Sequence, residues 1–538
     1  MKKLLKVTIV FLSSLLFTQC DDSLLDTYPQ DQLGSELFWK TEADAVNAVN
    51  ALYTKLPGIS EMQWDMMSDI GHTNTTYDAK VTIERGEHNA TLGYFDNLWD
   101  NGYAAIRAAN YFLENIDKVK ENEPDIDEDL LNRLKGEARF IRAFFYTRMV
   151  FLFGDIPLVT KTLDVSEGKT IGKNSSEEIW DFVEKEFSEI ANWLPEAYSG
   201  ENLGRITKGA AWAMKARAML YAKRYTKAAE AAKSVMDLNV YGLYPEYENL
   251  FSYDAQNNTE VILDRQYAQD IANHNFFAAY APKGMQGGVG VCPTLTLVDA
   301  YQTINGLAID EDPLYDPLDP YANRDPRLGY SLFIPTFSDN VPGDELYNGI
   351  IYDPRPGSGT EDEVEVDYFR TKTGFNTKKY INREDKDDRG NGGTNFILIR
   401  YADVLLMYAE AKIEANQIDA SVYAAINAVR QRNDVNLPEV SAGKSQEELR
   451  QILRHERMVE LALEGLRFFD IRRWKIAHVV MQGPIEGMRY IKSGETEVQT
   501  LRYGGVERSF NPEKDYLFPV PQEEILLNEN LKPQNPNY

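Results

Sequence analysis

Two runs separated by a single residue, Lys208 to Arg224 and Thr226 to Asp237, constrain the fold of this 538-residue chain more than any other part of it. In the first, Trp212, Ala216, Met219 and Leu220 fall on one helical face at i, i+4, i+7 and i+8. In the second, Ala228, Ala229, Ala231 and Ala232 leave room for a neighbouring helix to come close. A bulky face beside a small one, in two helices joined by a very short turn, predicts stacked helix pairs. A second such pair is expected at Tyr401 to Asn416 and Ser421 to Arg432, where Leu405, Tyr408, Ala409 and Ile413 share a face. Further helices are predicted over Thr41 to Leu56, Phe95 to Lys120, Leu130 to Phe153 and Ser176 to Leu194. The first opens on a capping threonine, and three of the four end at a breaker: Pro57-Gly58, Gly154 and Pro195.

Each helix pair resembles a tetratricopeptide repeat in length and in its alternation of bulky and small residues. The expected fold is mainly α, a tetratricopeptide-repeat-like helical scaffold with a long loop-rich segment and a few short strands. Between Tyr241 and Asn395 the composition shifts toward Gly, Pro, Asn, Asp and Tyr, with β-like runs such as Val261 to Leu263. The organisation read from this is a helical region over 20–240 and a C-terminal region over 241–538 with a loop-rich insert at 241–395. A loop segment that long is expected to pack over the helices and carry function. Within it, Asp385 to Gly393 is polar and glycine-rich and is expected to be mobile.

Residues 1–19 read as a lipoprotein signal peptide rather than as part of the fold. Lys2, Lys3 and Lys6 precede an apolar run from Val7 to Phe17, too short for the ~20 residues that a membrane span needs. Leu16-Phe17-Thr18-Gln19-Cys20 resembles a bacterial lipobox, although Gln19 is bulkier than the usual residue there. Acylated Cys20 would anchor the chain to outer-membrane lipid. Asp21 and Asp22 resemble an acidic tag for export to the cell exterior. The only other cysteine is Cys292, so no disulfide within the mature chain is expected.

The chain carries 84 acidic against 57 basic residues, a net charge of −27, and so lacks the cationic surface that binding nucleic acid requires. Catalytic signatures are absent. Gly168-Lys169-Thr170 and Gly443-Lys444-Ser445 lack the earlier glycine of a phosphate loop, having Leu163 and Pro438 in its place. Asp385, Asp387 and Gly390 open like a calcium loop, but Arg389 holds a ligand position and Phe396 replaces the closing glutamate. The five histidines show no zinc spacing, and Ser358 lacks both glycines of a nucleophile elbow. No metal and no cofactor are expected, except that a calcium site assembled by folding leaves no linear trace. The same holds for a glycosidase pair drawn from the many carboxylates.

Several stretches carry a family resemblance. They are NFILIRYADVLLMYAE from Asn395, AINAVRQR from Ala425, ERMVELALEGLRFFDIRRW from Glu456 and YLFPVPQEEI from Tyr516. Upstream, Thr296 to Asp310, Tyr321 to Leu328, Lys378 to Ile381, Leu98 to Asp117 and Gly136 to Val159 also fit, as does QNPNY at the terminus. Together these resemble the SusD/RagB family of outer-membrane nutrient-binding lipoproteins. The residues themselves read mostly as architecture. Glu456, Glu460 and Glu464 recur every four residues beside Arg457 and Arg467, a spacing suited to ion pairs. Arg467, Asp470, Arg472 and Arg473 read as a paired structural cluster rather than an anion site.

The resemblance implies a non-enzymatic lipoprotein that binds an oligosaccharide and delivers it to a SusC-like TonB-dependent transporter. Peptide uptake by some members leaves an oligopeptide open as ligand; a secreted glycoside hydrolase and a cytosolic tetratricopeptide adaptor are the more distant alternatives. Sugars are held by aromatic faces and planar polar groups, best supplied by loops. One candidate cluster holds Trp64, Asp69, His72, Asn74, Tyr77, Asp78, Arg85, His88 and Tyr94. The other holds His274, Asn275, Phe276, Phe277 and Tyr280 before a glycine-rich run. Trp99 and Tyr103 lie within a helix pattern and read as packing.

Overall fold

The computed structural model describes residues 38–75, 77–364 and 369–538. Residues 1–19, expected to be a signal peptide, and Cys20, Asp21 and Asp22 lie outside the described residues. Nine long helices occur among the described residues: α1 Glu42–Tyr53, α2 Gly93–Asn115, α3 Glu128–Phe153, α4 Ser176–Ile190 and α5 Lys208–Tyr221, followed by α6 Tyr225–Asp237, α7 Tyr401–Glu414, α8 Ala420–Arg430 and α9 Gln446–Glu460. Their ends follow local chemistry. Thr41, Ser175 and Ser445 each close a reciprocal capping box with the acidic residue three positions on, satisfying backbone N–H groups that the first turn leaves unpaired. Gly154, at φ 73°, stops α3 in a conformation that a side chain disfavours. The helix expected as far as Lys120 ends at Asn115 and resumes as a short helix, Asp117–Asn122.

The helices form a tetratricopeptide-like array: α2 packs on α3, α3 on α4, α4 on α5, α5 on α6, α6 on α7, and α7 on α8 and α9. The α6 to α7 contact joins helices that flank the whole segment between Asp237 and Tyr401, so that segment is looped out of an otherwise continuous stack. The buried alanines of α6 permit the approach. Strand β2, Val261–Arg265, runs antiparallel to β4, Phe396–Arg400, with Val261 opposite Arg400 and Arg265 opposite Phe396. The excursion is therefore zipped at its base by this ladder. Strand β1, Gly71–Thr73, pairs with β3, Val291–Pro293, placing His72 opposite Cys292 and binding the loop after α1 to the looped-out segment. A long hairpin of β5, Gly483–Ile491, and β6, Val498–Arg508, is not expected from the sequence, and neither is most of α9.

A buried ionic network joins these parts. Glu456 and Glu460 point inward from α9, and Glu464 follows just beyond it. Arg327 reaches Glu456 at 2.6 Å and Glu460 at 2.8 Å, and Arg400 reaches Glu260, Glu460 and Glu464 at 2.7–2.9 Å. Arg432 adds Glu260 at 2.6 Å and Glu460 at 2.9 Å, and Lys379 adds Glu464 at 2.8 Å. A second group links Arg217, Asp403, Arg457, Asp470, Arg473 and Glu410. Arg467 pairs with Asp69 at 2.7 Å. The mixed charges of Glu456 to Arg473 are thus mostly consumed internally. Arg472 lies instead 3.6 Å from the centre of the Phe468 ring.

Two consequences are testable. Breaking a buried pair while leaving its partners in place costs about 3–5 kcal/mol, so Glu460→Gln is expected to lower unfolding stability by that amount. Lys233→Ala, which removes the exposed pair with Asp237, changes it by about 0.5 kcal/mol or less in the same denaturant titration. The second concerns acid. Burial alone would raise the Asp403 carboxyl, but Arg457 and Arg217 outweigh it and hold the group at about 2. Its stabilising contribution is complete above the unfolded value of about 4 and is lost as pH falls from there toward about 2, so the denaturation midpoint is expected to drop across that window.

Candidate functional site

The loop after α1 forms a 3-10 helix, Ile59–Met67, that lays Trp64 against the C-terminal part of the chain. The Trp64 ring lies 4.9 Å from Phe468, 5.2 Å from Phe469 and 6.4 Å from Tyr94 at the start of α2. Asp65 fixes this arrangement by accepting hydrogen bonds from the backbone N–H groups of Gly465 at 2.9 Å and Arg467 at 3.0 Å. Its burial pushes the carboxyl up to about 7 against the pull of those two N–H donors. A cleft of about 350 Å³ opens between this segment, α2 and α3, with Trp64, Tyr94 and Phe145 as aromatic walls. Planar polar groups from Gln63, Asn97, Asn101 and Arg148 share the lining. Arg148 is held by Glu61 at 2.6 Å and sits 5.4 Å from the Trp64 ring, so its charge is neutralised locally. Gln63 Nε2 donates to the Tyr280 hydroxyl at 2.9 Å, which connects the two clusters read from the sequence.

Most of the other candidates point inward. His72 Nδ1 lies 2.7 Å from Glu84, and His88 Nε2 lies 2.8 Å from the Tyr538 hydroxyl. Burial first, with Lys514 and Arg472 adding to it, drives the His88 imidazole down to about 3 and keeps it neutral. Asp69 is committed to Arg467. His274 Nε2 lies 2.9 Å from the Thr394 carbonyl, while its Nδ1 accepts the N–H of Phe276. Phe277 belongs to a small core with Met285, Phe333, Leu346 and Tyr352, and the Tyr280 ring is also buried. These residues therefore present little or no surface to a ligand, because their polar groups and rings are spent on holding loops together. Asn74 donates to the Gly288 carbonyl. Asp78 caps the helix Ala79–Glu84 and pairs with Lys80, whose ammonium lies 5.7 Å from the Tyr94 ring. Tyr77 is 86% exposed beside that cap.

A second surface was not legible in the sequence. An open trough of about 620 Å³ is lined by Lys283, Gln286, Gly287, Gly288, Phe369, Arg389 and their neighbours. Phe369 is 58% exposed, with the Lys283 ammonium 5.6 Å from its ring. Gly287 is required there, since a Cβ would stand 2.1 Å from the Ala281 carbonyl oxygen. Arg389 donates to the Gln286 carbonyl, and Asn74 joins the trough to the first cluster through Gly288. The stretch Asp385 to Gly393, expected to be mobile, is instead pinned. Asp385 is buried and accepts the Tyr253 hydroxyl at 2.6 Å, and Gly392 pairs with His274. Among the described residues no three His, Cys, Asp or Glu side chains are placed to hold a metal ion.

Residues 248–538 match the SusD family, and residues 30–220 match a family described as starch-binding and associating with the outer membrane. The chain is 28% identical to SusD-like protein P2 of Formosa agariphila, over 99% of both chains. A stretch covering 28% of this chain and 26% of the relative is 30% identical to the starch-binding protein SusD of Bacteroides thetaiotaomicron. The structure superposes on a SusD-like carbohydrate-binding protein of Bacteroides fragilis with a TM-score of 0.83 and 29% identity, covering 92% of this chain and 100% of that one. A laminarin-binding SusD-like protein, 20% identical over 93% of this chain and 100% of that one, shares the fold at a TM-score of 0.69. No described helix is long and apolar enough to cross a membrane. The helical stack, its looped-out segment and the matches along both halves establish that this chain belongs to the SusD family.

Proposed function

We propose that this protein captures an oligosaccharide at the outside of the cell and delivers it to a SusC-like TonB-dependent transporter in the outer membrane. The observation that carries this reading is the cleft in which Tyr94 and Phe145, backed by the nearly buried Trp64, stand beside the planar amides of Gln63, Asn97 and Asn101. Aromatic faces shield the apolar side of a sugar ring, and fixed amides meet its hydroxyls in matched pairs. Tyr77, on the loop that precedes the helix Ala79–Glu84, and Phe369, in the separate trough, are exposed rings that offer further contacts. Capture requires no covalent step, so the protein is read as a binding protein and not an enzyme. Acylated Cys20 would keep it beside the transporter, and a ligand enclosed between the two would favour the closed state by its differential affinity.

Calorimetry of the purified mature chain, carrying Cys20→Ser, against panels of oligosaccharides and peptides tests the ligand class. Oligosaccharide binding is expected, weakened about twofold to tenfold by Asn101→Ala, Tyr77→Ala or Phe369→Ala, the range that corresponds to about 0.5–1.5 kcal/mol per net hydrogen bond or aromatic contact. Because Tyr77 and Phe369 are exposed, their removal should shift stability by no more than about 0.5 kcal/mol. Binding confined to peptides would keep the transport role and replace the ligand; binding insensitive to all three substitutions would remove the site. Anchoring is tested in cells. A fatty-acid label should enter the wild-type protein and be lost in Cys20→Ala, and protease added to intact cells should cleave the anchored form.

A further inference from the structure

An open cavity of about 600 Å³ lies within the looped-out segment, where the short hairpin of Glu345–Tyr347 and Ile350–Ile351 meets the stretch from Asp353 to Asp362. It shares no lining residue with the cleft or the trough. The hairpin is firmly held. Asn348 and Gly349 take left-handed φ values of 48° and 79°, as a two-residue turn between paired strands requires, and Glu345 accepts the Gly349 N–H at 2.8 Å. The Lys386 ammonium sits 4.2 Å from the centre of the Tyr347 ring, and Arg383 donates to the Glu345 carbonyl at 3.1 Å. Ile350, 39% exposed, and Ile351, 38% exposed, are thereby fixed at the cavity beside Pro342. Apolar surface so placed costs free energy in water until something covers it.

The charge of the lining is negative. Asp339, Asp353, Glu361 and Asp362 face the single guanidinium of Arg355, which is committed to Asp339 at 2.9 Å and Asp353 at 2.7 Å. Glu361 stands 3.7 Å from Arg370. Asp362 pairs with no cation among the described residues, although it is only 3% exposed. Its Oδ1 accepts the Gly284 N–H at 2.8 Å, and the Lys283 N–H bears on the carboxyl without reaching hydrogen-bonding geometry. Its Oδ2 accepts no hydrogen bond from the described residues and is not sealed from solvent, so it opens on the cavity. Gly284 makes room for this oxygen, since a Cβ there would stand 2.4 Å from it. Burial pushes the Asp362 carboxyl up to about 6 against the pull of the two N–H groups. A buried charge met so incompletely is costly until a cationic donor reaches it.

We propose that this cavity is a second binding site, for a primary ammonium carried on an apolar chain, as in a lysine side chain between apolar residues. The ammonium donates to Asp362, and the chain lies against Ile350 and Ile351. A metal ion fits less well, because among the described residues no three carboxylate, histidine or cysteine side chains are placed to hold one. A neutral hydroxyl would leave the carboxylate charge unmatched. An ammonium cancels it and has three N–H donors, while a methylene stem covers the isoleucines. The net charge of −27 adds attraction for such a ligand from further away. The site stands apart from the proposed capture site and survives or fails independently of it.

Saturation-transfer NMR on the Cys20→Ser chain tests it with two ammonium probes, pentylamine and a blocked tripeptide of lysine between two leucines. Pentanol and the same tripeptide with glutamine in place of lysine are the uncharged counterparts. At least one ammonium probe is expected to bind about tenfold or more tightly than its counterpart. Asp362→Asn, which keeps the shape, is expected to weaken that probe about tenfold, and Ile350→Lys, which sets a competing ammonium on an exposed strand, about fivefold or more. Asn101→Ala leaves it unchanged. Tighter binding of the lysine tripeptide than of pentylamine assigns the site to a lysine of a partner protein; equal or weaker binding assigns it to a free amine. Absence of binding by both ammonium probes, equal binding by the uncharged counterparts, indifference to either substitution at the site, or loss through Asn101→Ala would each overturn it. Should Asp362→Asn prevent folding, Ile350→Lys decides alone. Oligosaccharide binding at the cleft is read separately, by its own sensitivity to Asn101→Ala.

Discussion

Three arginines from distant parts of the chain converge on Glu460, and the geometry of the rest follows from that meeting. Arg327 comes from the looped-out segment, Arg400 from the strand that leads into α7, and Arg432 from just beyond α8. Removing four such charges from water is expensive, and the cost is offset only when each group finds several partners in good geometry. Here Arg400 is shared among Glu260, Glu460 and Glu464, and Arg327 among Asp325, Glu456 and Glu460. Directional pairing of this kind specifies one arrangement where apolar packing alone would tolerate several. It clamps a long excursion of Gly- and Pro-rich chain, which has little regular structure, onto a regular helical stack.

The same C-terminal segment positions the binding surface. After α9 the chain presents Gly465 and Arg467 to Asp65, Arg467 to Asp69, and the rings of Phe468 and Phe469 to Trp64. The cleft wall is therefore built by residues about four hundred positions apart in sequence. The backing comes from buried, ion-paired architecture, and the ligand-facing surface comes from loops. A site arranged in this way can change lining residues such as Asn97 and Asn101 without disturbing what holds the cleft.

How much of this was legible in the sequence divides along physical lines. Capping at Thr41, the stop at Gly154 and the bulky-against-small faces are local signals, and the helices they predict are present. The β5–β6 hairpin escaped because register shifts interrupt its ladder, so the two-residue alternation that marks a strand is not sustained. For the candidate site, residue type was readable and burial was not. His72 and His88 have the chemistry of ligand contacts, but Glu84 lies 12 residues away and Tyr538 lies 450 residues away, and those partners turn both histidines inward. Phe369 and Arg389 carry no local mark, since only folding brings them to the glycine turn at Gly287.

The distribution of charge bears on what such a surface can select. Most of the buried arginines are paired with buried carboxylates, so the net charge of −27 is carried almost entirely by the outer surface. That field repels polyanions and draws basic peptides, but fades over about 8 Å at physiological salt. A neutral oligosaccharide feels neither force, so its recognition rests on contacts that salt does not screen: ring faces and amides. The cleft supplies those contacts; of the two cations that line it, Arg148 is already spent on Glu61, and Lys55 is exposed to solvent. The ring faces and amides of the cleft act through shape and hydrogen-bond geometry, which salt leaves unchanged.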